Sequence, residues 1–240
     1  MVDAQGALLS VVLLDTAIAG LVVGGFWLAV TMMRIAGRKI GYSLAPLGFS
    51  RPRGGILIGI GVGVTIGVGA VLVSAIVNPL SVLVLERLGY PTKSTIQQPF
   101  MRGLVGWVGE SPILAVPAII LVVVLFGPAV EELVFRGAVF NGLYRLGALL
   151  SSRTVGKEDF APAARKATFV VSALASSVLF ALLHLEPVLL PALLILAFAL
   201  CALFQRTQSL LPPFVAHATF NSFAASLIIL SGLGVFEMPL

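Results

Sequence analysis

The sequence predicts an all-α protein, a polytopic transmembrane bundle of about six spans, some of them broken by proline. Three observations carry that expectation. Of 240 residues 59% are apolar and only 10% charged, against roughly 25% charged in a soluble domain. Mean hydropathy is +1.10. Six stretches approach the about 20 apolar residues that a spanning helix needs. One soluble core cannot hide that much apolar surface, which excludes a soluble enzyme, a disordered chain and a nucleic-acid-binding domain. The basic excess, 15 Lys and Arg against 10 Asp and Glu, suits cytoplasmic loops rather than a nucleic-acid partner. The single cysteine, Cys201, forms no internal disulfide and reads as a small packing residue.

The first span runs from about Leu8 to Met33, with Asp15 its only charge. Ala17-Ile18-Ala19 resembles a leader-cleavage site, but Asp3 stands where a positive leader region belongs, so a retained helix is expected. The second runs from Gly54 to Val84. Gly55, Gly59, Gly63 and Gly67 recur every four residues, which makes a smooth stripe where another helix can pack closely. No strand precedes these glycines, so a nucleotide loop is not read here. Asn78-Pro79 is expected to kink or end this helix. The third span starts near Pro112 and runs into Glu131. The fourth is Ala167 to Leu185, the fifth Val188 to Phe204, and the sixth Leu210 to about Leu233.

Eleven basic residues fall in three loops: Arg34, Arg38, Lys39, Arg51 and Arg53; Arg145, Arg153, Lys157, Arg165 and Lys166; and Arg206. Three (Arg87, Lys93, Arg102) fall on the other side, with Arg136 inside a span. Basic loops stay cytoplasmic, so both termini face outward. The long charged linker Arg145–Lys166 reads as a solvated loop, with a cytoplasmic hairpin contacting substrate or the lipid surface as the alternative. No stretch is long enough for a soluble core, so residues 1–110 and 111–240 are two parts of one membrane domain.

Ionisable residues within spans are expensive and are functional candidates by default. Glu131-Glu132-Leu133-Val134-Phe135-Arg136 places three charges directly after an apolar run. At about 3 kcal/mol each near the bilayer centre, their uncompensated cost is on the order of 9 kcal/mol. Glu132 and Arg136 are four apart and can pair on one helix face. Glu131 is turned about 100° away and is left as the free carboxylate. Both histidines of the chain also lie in spans: Phe180-Ala181-Leu182-Leu183-His184 ends the fourth, and His217-Ala218-Thr219-Phe220-Asn221 lies in the sixth. Such a set suffices for amide hydrolysis. Glu131 acts as general base on a water that His184 holds, while His217 and Asn221 donate to an oxyanion. An alternative makes Glu131, His184 and His217 three ligands of a catalytic zinc, although the helical H-E-x-x-H motif is absent.

The ordered trio E-E-x-x-x-R, F-x-x-x-H and H-x-x-x-N resembles the CPBP family of CAAX-protease and bacteriocin-processing intramembrane endopeptidases. Its residues here are Glu131, Glu132 and Arg136; Phe180 and His184; His217 and Asn221. The resemblance covers roughly Pro112 to Leu230. It implies peptide-bond hydrolysis in a bacterial-type cell membrane, on membrane-embedded or lipidated peptides. Glu131 and His184 would activate water, His217 and Asn221 would stabilise the oxyanion, and Glu132, Arg136 and Phe180 would support the site. Family members have been described both as metalloproteases and as metal-free glutamate proteases. The residues lean toward the metal-free version and leave zinc open. Two other classes compete: a proton- or ion-coupled transporter, against which no inverted repeat is seen, and a non-catalytic membrane partner. A strain of depth also remains. His184 falls near the outer end of its span and His217 near the inner end of its own, so Pro128, Pro187 or Pro212-Pro213 must bend helices to bring them level.

Overall fold

The computed structural model describes residues 3–92, 97–155 and 162–237. Among these residues every regular element is helical. Among the described residues six helical segments are long and apolar enough to cross a membrane: Ala4–Ile35, Ile56–Arg87, Pro112–Ser151, Pro162–Leu183, Leu190–Thr207 and Leu211–Gly232. The protein is a multi-pass integral membrane protein with the all-α fold expected of it.

Helix α1 (Ala4–Ile35) begins at Asp3, whose carboxylate accepts from the Gly6 amide at 3.0 Å. That bond satisfies one of the free donors of the first turn. Helix α2 (Ile56–Arg87) carries the glycine stripe, and its most extensive contact is with α9 (Leu211–Gly232). A Cβ on Gly63 would lie 2.7 Å from the Pro212 carbonyl oxygen, and one on Gly67 2.5 Å from that of Ala216. The backbones therefore meet without side chains between them, as the four-residue spacing predicts. Gly59 joins this contact through Pro212, but Gly55 stands before the helix with open space around it. Helix α2 also runs through Pro79 to Arg87, so the Asn78-Pro79 pair does not end it.

One helix was not expected. Helix α3 (Gln97–Glu110) is too short to span and buries only Leu104 and Val108 along one stripe. It packs on α9 and α1, where Gly232 leaves room for Val108.

The third span is longer than the apolar run suggests. It continues as one helical segment through α4 (Pro112–Ile119), a π-helical stretch (Ile120–Phe126), α5 (Gly127–Glu132), a second π-helical stretch (Leu133–Phe140) and α6 (Asn141–Val155). Helix α7 (Pro162–Leu183) follows. Most of the linker expected as a solvated loop is therefore helix, and its remaining residues, 156–161, lie outside the described residues. Helix α8 (Leu190–Thr207) is the most deeply packed, with Leu196, Leu200, Cys201 and Phe204 nearly inaccessible. The prolines act differently from expectation. Pro212 and Pro213 open α9, where a missing N–H costs nothing. Pro187 sits in the turn between α7 and α8, and Pro128 lies inside an unbroken helical run.

The segment between α1 and α2 folds back on the α8–α9 turn. Leu210 donates to the Gly48 carbonyl at 2.9 Å, and Arg53 to that of Thr207 at 2.9 Å. Gly48 has φ +96° and faces the Phe204 ring so closely that a Cβ would lie 2.6 Å from it. Only glycine meets both demands.

Candidate active site

The site is built on α5, and the two π-helical stretches flanking it come from the local sequence. In the first, the Gly127 amide bonds to the carbonyl of Val122, five residues back. The next bond of that pattern would run from residue 128 to Val123, but Pro128 has no N–H. The Val123 carbonyl is thus left over, and a buried carbonyl needs a donor. Asn221 of α9 supplies it, with Nδ2 3.0 Å from the Val123 oxygen. Turns of this kind are frequent where helices carry functional groups, and here they present two consecutive glutamates toward α9.

Glu132 and Arg136 are both fully buried. Their Oε1–Nη1 distance is 3.0 Å, as the spacing of four predicts. Arg136 has two further partners that its sequence neighbours do not reveal. Its Nη2 donates to the Ala197 carbonyl at 3.3 Å, and its guanidinium lies 4.8 Å from the Phe180 ring centre. Planar stacking and a fixed fork suit arginine to such a place.

The same Glu132 oxygen also accepts from His217 Nδ1 at 2.8 Å. This contact was not anticipated, because it links α5 to α9 across 85 residues. A carboxylate on Nδ1 fixes the ring's orientation and puts a proton on that nitrogen. The other ring nitrogen, Nε2, then faces Glu131, with Oε2 at 3.7 Å. That is an ion-pair distance rather than a hydrogen bond. Glu131 Oε2 is buried and has no hydrogen-bond partner among the described residues. Of the two glutamates, Glu132 is engaged by Arg136 and His217 at hydrogen-bond distance, whereas Glu131 has only His217 at ion-pair distance among the described residues.

Phe180 is the hub of the cluster. Its inaccessible ring lies 4.6 Å from the ring of His184, 5.7 Å from that of His217 and 5.1 Å from that of Phe135, centre to centre. Both histidines therefore sit against one side chain, which answers the difficulty of depth. The short α8 returns the chain so that α9 reaches the Phe180 level two turns after its start. His184 itself lies just past the end of α7, half-buried, with Nδ1 2.8 Å from the carbonyl oxygen of Phe180.

The nearest histidine to Glu131 is thus His217, where the sequence suggested His184. The zinc alternative fits poorly for the same reason. Among the described residues no three His, Cys, Asp or Glu side chains gather as a metal-binding group. His184 is turned back on its own helix, with Nδ1 on the Phe180 carbonyl and its ring tilted at 49° against the Phe180 ring, so Glu131, His184 and His217 do not converge as three ligands.

Beside Glu132 lies a cavity of about 640 Å³. Its wall includes Phe126, Ala129, Leu133 and Phe214, with Arg51 of the α1–α2 segment also lining it. The volume is in the range of small-molecule sites. Sequence reading missed this cavity, since three distant segments form it.

Fold and site together define a polytopic membrane protein with a buried Glu132–Arg136–His217 cluster and the partly exposed Glu131 beside it. Residues 113–223, which contain all three motifs, match the family described as "Type II CAAX prenyl endopeptidase Rce1-like". A Bacillus subtilis (strain 168) protein described as "Putative membrane peptidase YdiL" is 30% identical over 111 residues. That match covers 46% of this chain and spans only 37% of the length of the relative. No solved structure matches the chain. The resemblance read from the three motifs is therefore supported by whole-segment similarity to this membrane-protease family.

Proposed function

We propose that the chain is an intramembrane endopeptidase that hydrolyses peptide bonds of membrane-embedded or lipidated peptides with a water activated by Glu131. The observation that carries the reading is the placement of Glu131 beside His217, whose far nitrogen is held by the buried Glu132–Arg136 pair. An unpartnered carboxylate oxygen and an oriented imidazole, inside a membrane bundle, are the elements of a general-base site.

In the proposed reaction Glu131 takes a proton from water as the oxygen attacks the scissile carbonyl carbon. The proton then passes to the leaving amine. His217, held through its Nδ1–H by Glu132, is assigned to the developing oxyanion, to which a protonated Nε2 would donate. Asn221 has one amide hydrogen engaged with Val123 and a second one available, so a share in the oxyanion site is compatible with its anchoring bond. His184, which also packs against Phe180, is assigned to holding the substrate or the water. The apolar cavity beside Glu132 suits the hydrocarbon part of a lipidated or membrane-inserted substrate, with Arg51 suited to an anionic group on it.

The test uses the full chain in lipid vesicles with a quenched-fluorescence peptide carrying an acyl chain. Cleavage by the native protein, and at least about 100-fold less by Glu131→Gln, is expected. Cleavage of a soluble peptide as fast as the acylated one would remove the membrane-substrate reading. Equal rates for the native protein and Glu131→Gln would remove the mechanism.

A further inference from the structure

We infer that Asp15 of α1 is a positioning residue of this site, holding the second hydrogen of the water whose first proton goes to Glu131. The inference rests on the endopeptidase reading above. Asp15 is the only charge within the first span, and it makes no hydrogen bond or ion pair among the described residues. A carboxylate at that depth is costly and calls for a compensating role.

Its place explains that role. Helix α1 packs on α3 near its start, through Ala4 and Leu8, and on α5 and the second π-helical stretch further along. At the contact stands Gly127. A Cβ there would lie 3.9 Å from Asp15 Oδ2 and 3.9 Å from Glu131 Oε1. The two carboxylate oxygens are thus no more than twice that distance apart, and the glycine keeps the space beside them clear. A water donating to two carboxylate oxygens, each at about 2.7 Å, places those oxygens about 4.3 Å apart. With one hydrogen toward Asp15 and the other toward Glu131, the lone pair of the oxygen points away from both, toward an incoming carbonyl. Such orientation contributes to rate through alignment rather than affinity.

The placement distinguishes a functional from a structural carboxylate. An unpaired Asp in a span is destabilising, so Asp15→Leu should leave the helix bundle as stable or more stable while slowing catalysis. In vesicles with the acylated quenched peptide, Asp15→Leu and Asp15→Asn should lower kcat about 10- to 100-fold with KM within about two-fold, and the unfolding temperature of Asp15→Leu should not fall. Asp15→Glu should recover part of the rate. Unchanged kcat in Asp15→Leu overturns the inference while leaving the endopeptidase reading intact. A fall in kcat accompanied by a fall in unfolding temperature overturns it in favour of a packing role. If the native protein cleaves nothing while Glu131→Gln is equally folded, both the endopeptidase reading and this inference fail together.

Discussion

Replacing Glu132 by leucine is the sharpest perturbation of the cluster, because one oxygen of Glu132 serves two partners. Its Oε1 lies 3.0 Å from Arg136 Nη1 and 2.8 Å from His217 Nδ1, with both Glu132 and Arg136 inaccessible. Glu132→Leu strands the Arg136 charge with one carbonyl and one aromatic face for company. Breaking a buried pair in this way costs about 3–5 kcal/mol. Glu132→Leu with Arg136→Met removes both charges and refills the volume, and such exchanges are often neutral or stabilising. The double variant should therefore recover most of the lost stability. It should not recover activity, because His217 still lacks the acceptor that orients its ring. A loss of about 10- to 100-fold is expected for an orienting partner of this kind. Unfolding in mixed detergent micelles gives the stabilities, and cleavage of the acylated peptide gives the rates. Native-like cleavage by the double variant would refute the orienting role of Glu132. A single variant destabilised by less than about 1 kcal/mol would refute the argument from buried charge.

Three further outcomes follow from the packing. Gly67→Ala puts a methyl group 2.5 Å from the Ala216 carbonyl oxygen and should lower stability by about 1–3 kcal/mol, whereas Gly61→Ala, with nothing within 4 Å, should be neutral or stabilising; thermal unfolding of the two compares them directly. Asn221→Ala strands the Val123 carbonyl and should cost about 1–3 kcal/mol. In a Pro128→Ala background residue 128 regains an N–H to offer, so the same Asn221→Ala exchange should cost clearly less, and a double-mutant cycle measures the difference. Gly48→Ala combines a left-handed backbone with a clash against Phe204; a destabilisation smaller than that of Gly61→Ala would contradict the docking of the α1–α2 segment on the α8–α9 turn.

Composition and hydropathy suffice for the class and most of the architecture. Six apolar runs can only be membrane helices, since backbone groups in lipid must bond within their own segment. The glycine stripe announces a close contact, and the Glu132–Arg136 pair follows from helical period alone. These are local properties, encoded within one turn or one span. Helix α3 escaped the same reading because its apolar stripe is narrow and becomes meaningful only against α9. The π-helical turns escaped it too, because a pattern of five-residue bonds leaves no mark on hydropathy.

What joins the spans lies beyond that reach. Which helix meets the glycine stripe, which histidine faces Glu131, and which donor rescues the Val123 carbonyl are all decided across gaps of about 85 to 150 residues, by shape and by the need of buried polar groups for partners. The motifs name the side chains of the cluster in order along the chain. Only the packing of α5, α7 and α9 around Phe180 assigns them to one another, because the energy of a buried charge depends on what stands beside it in space and not on its neighbours in sequence.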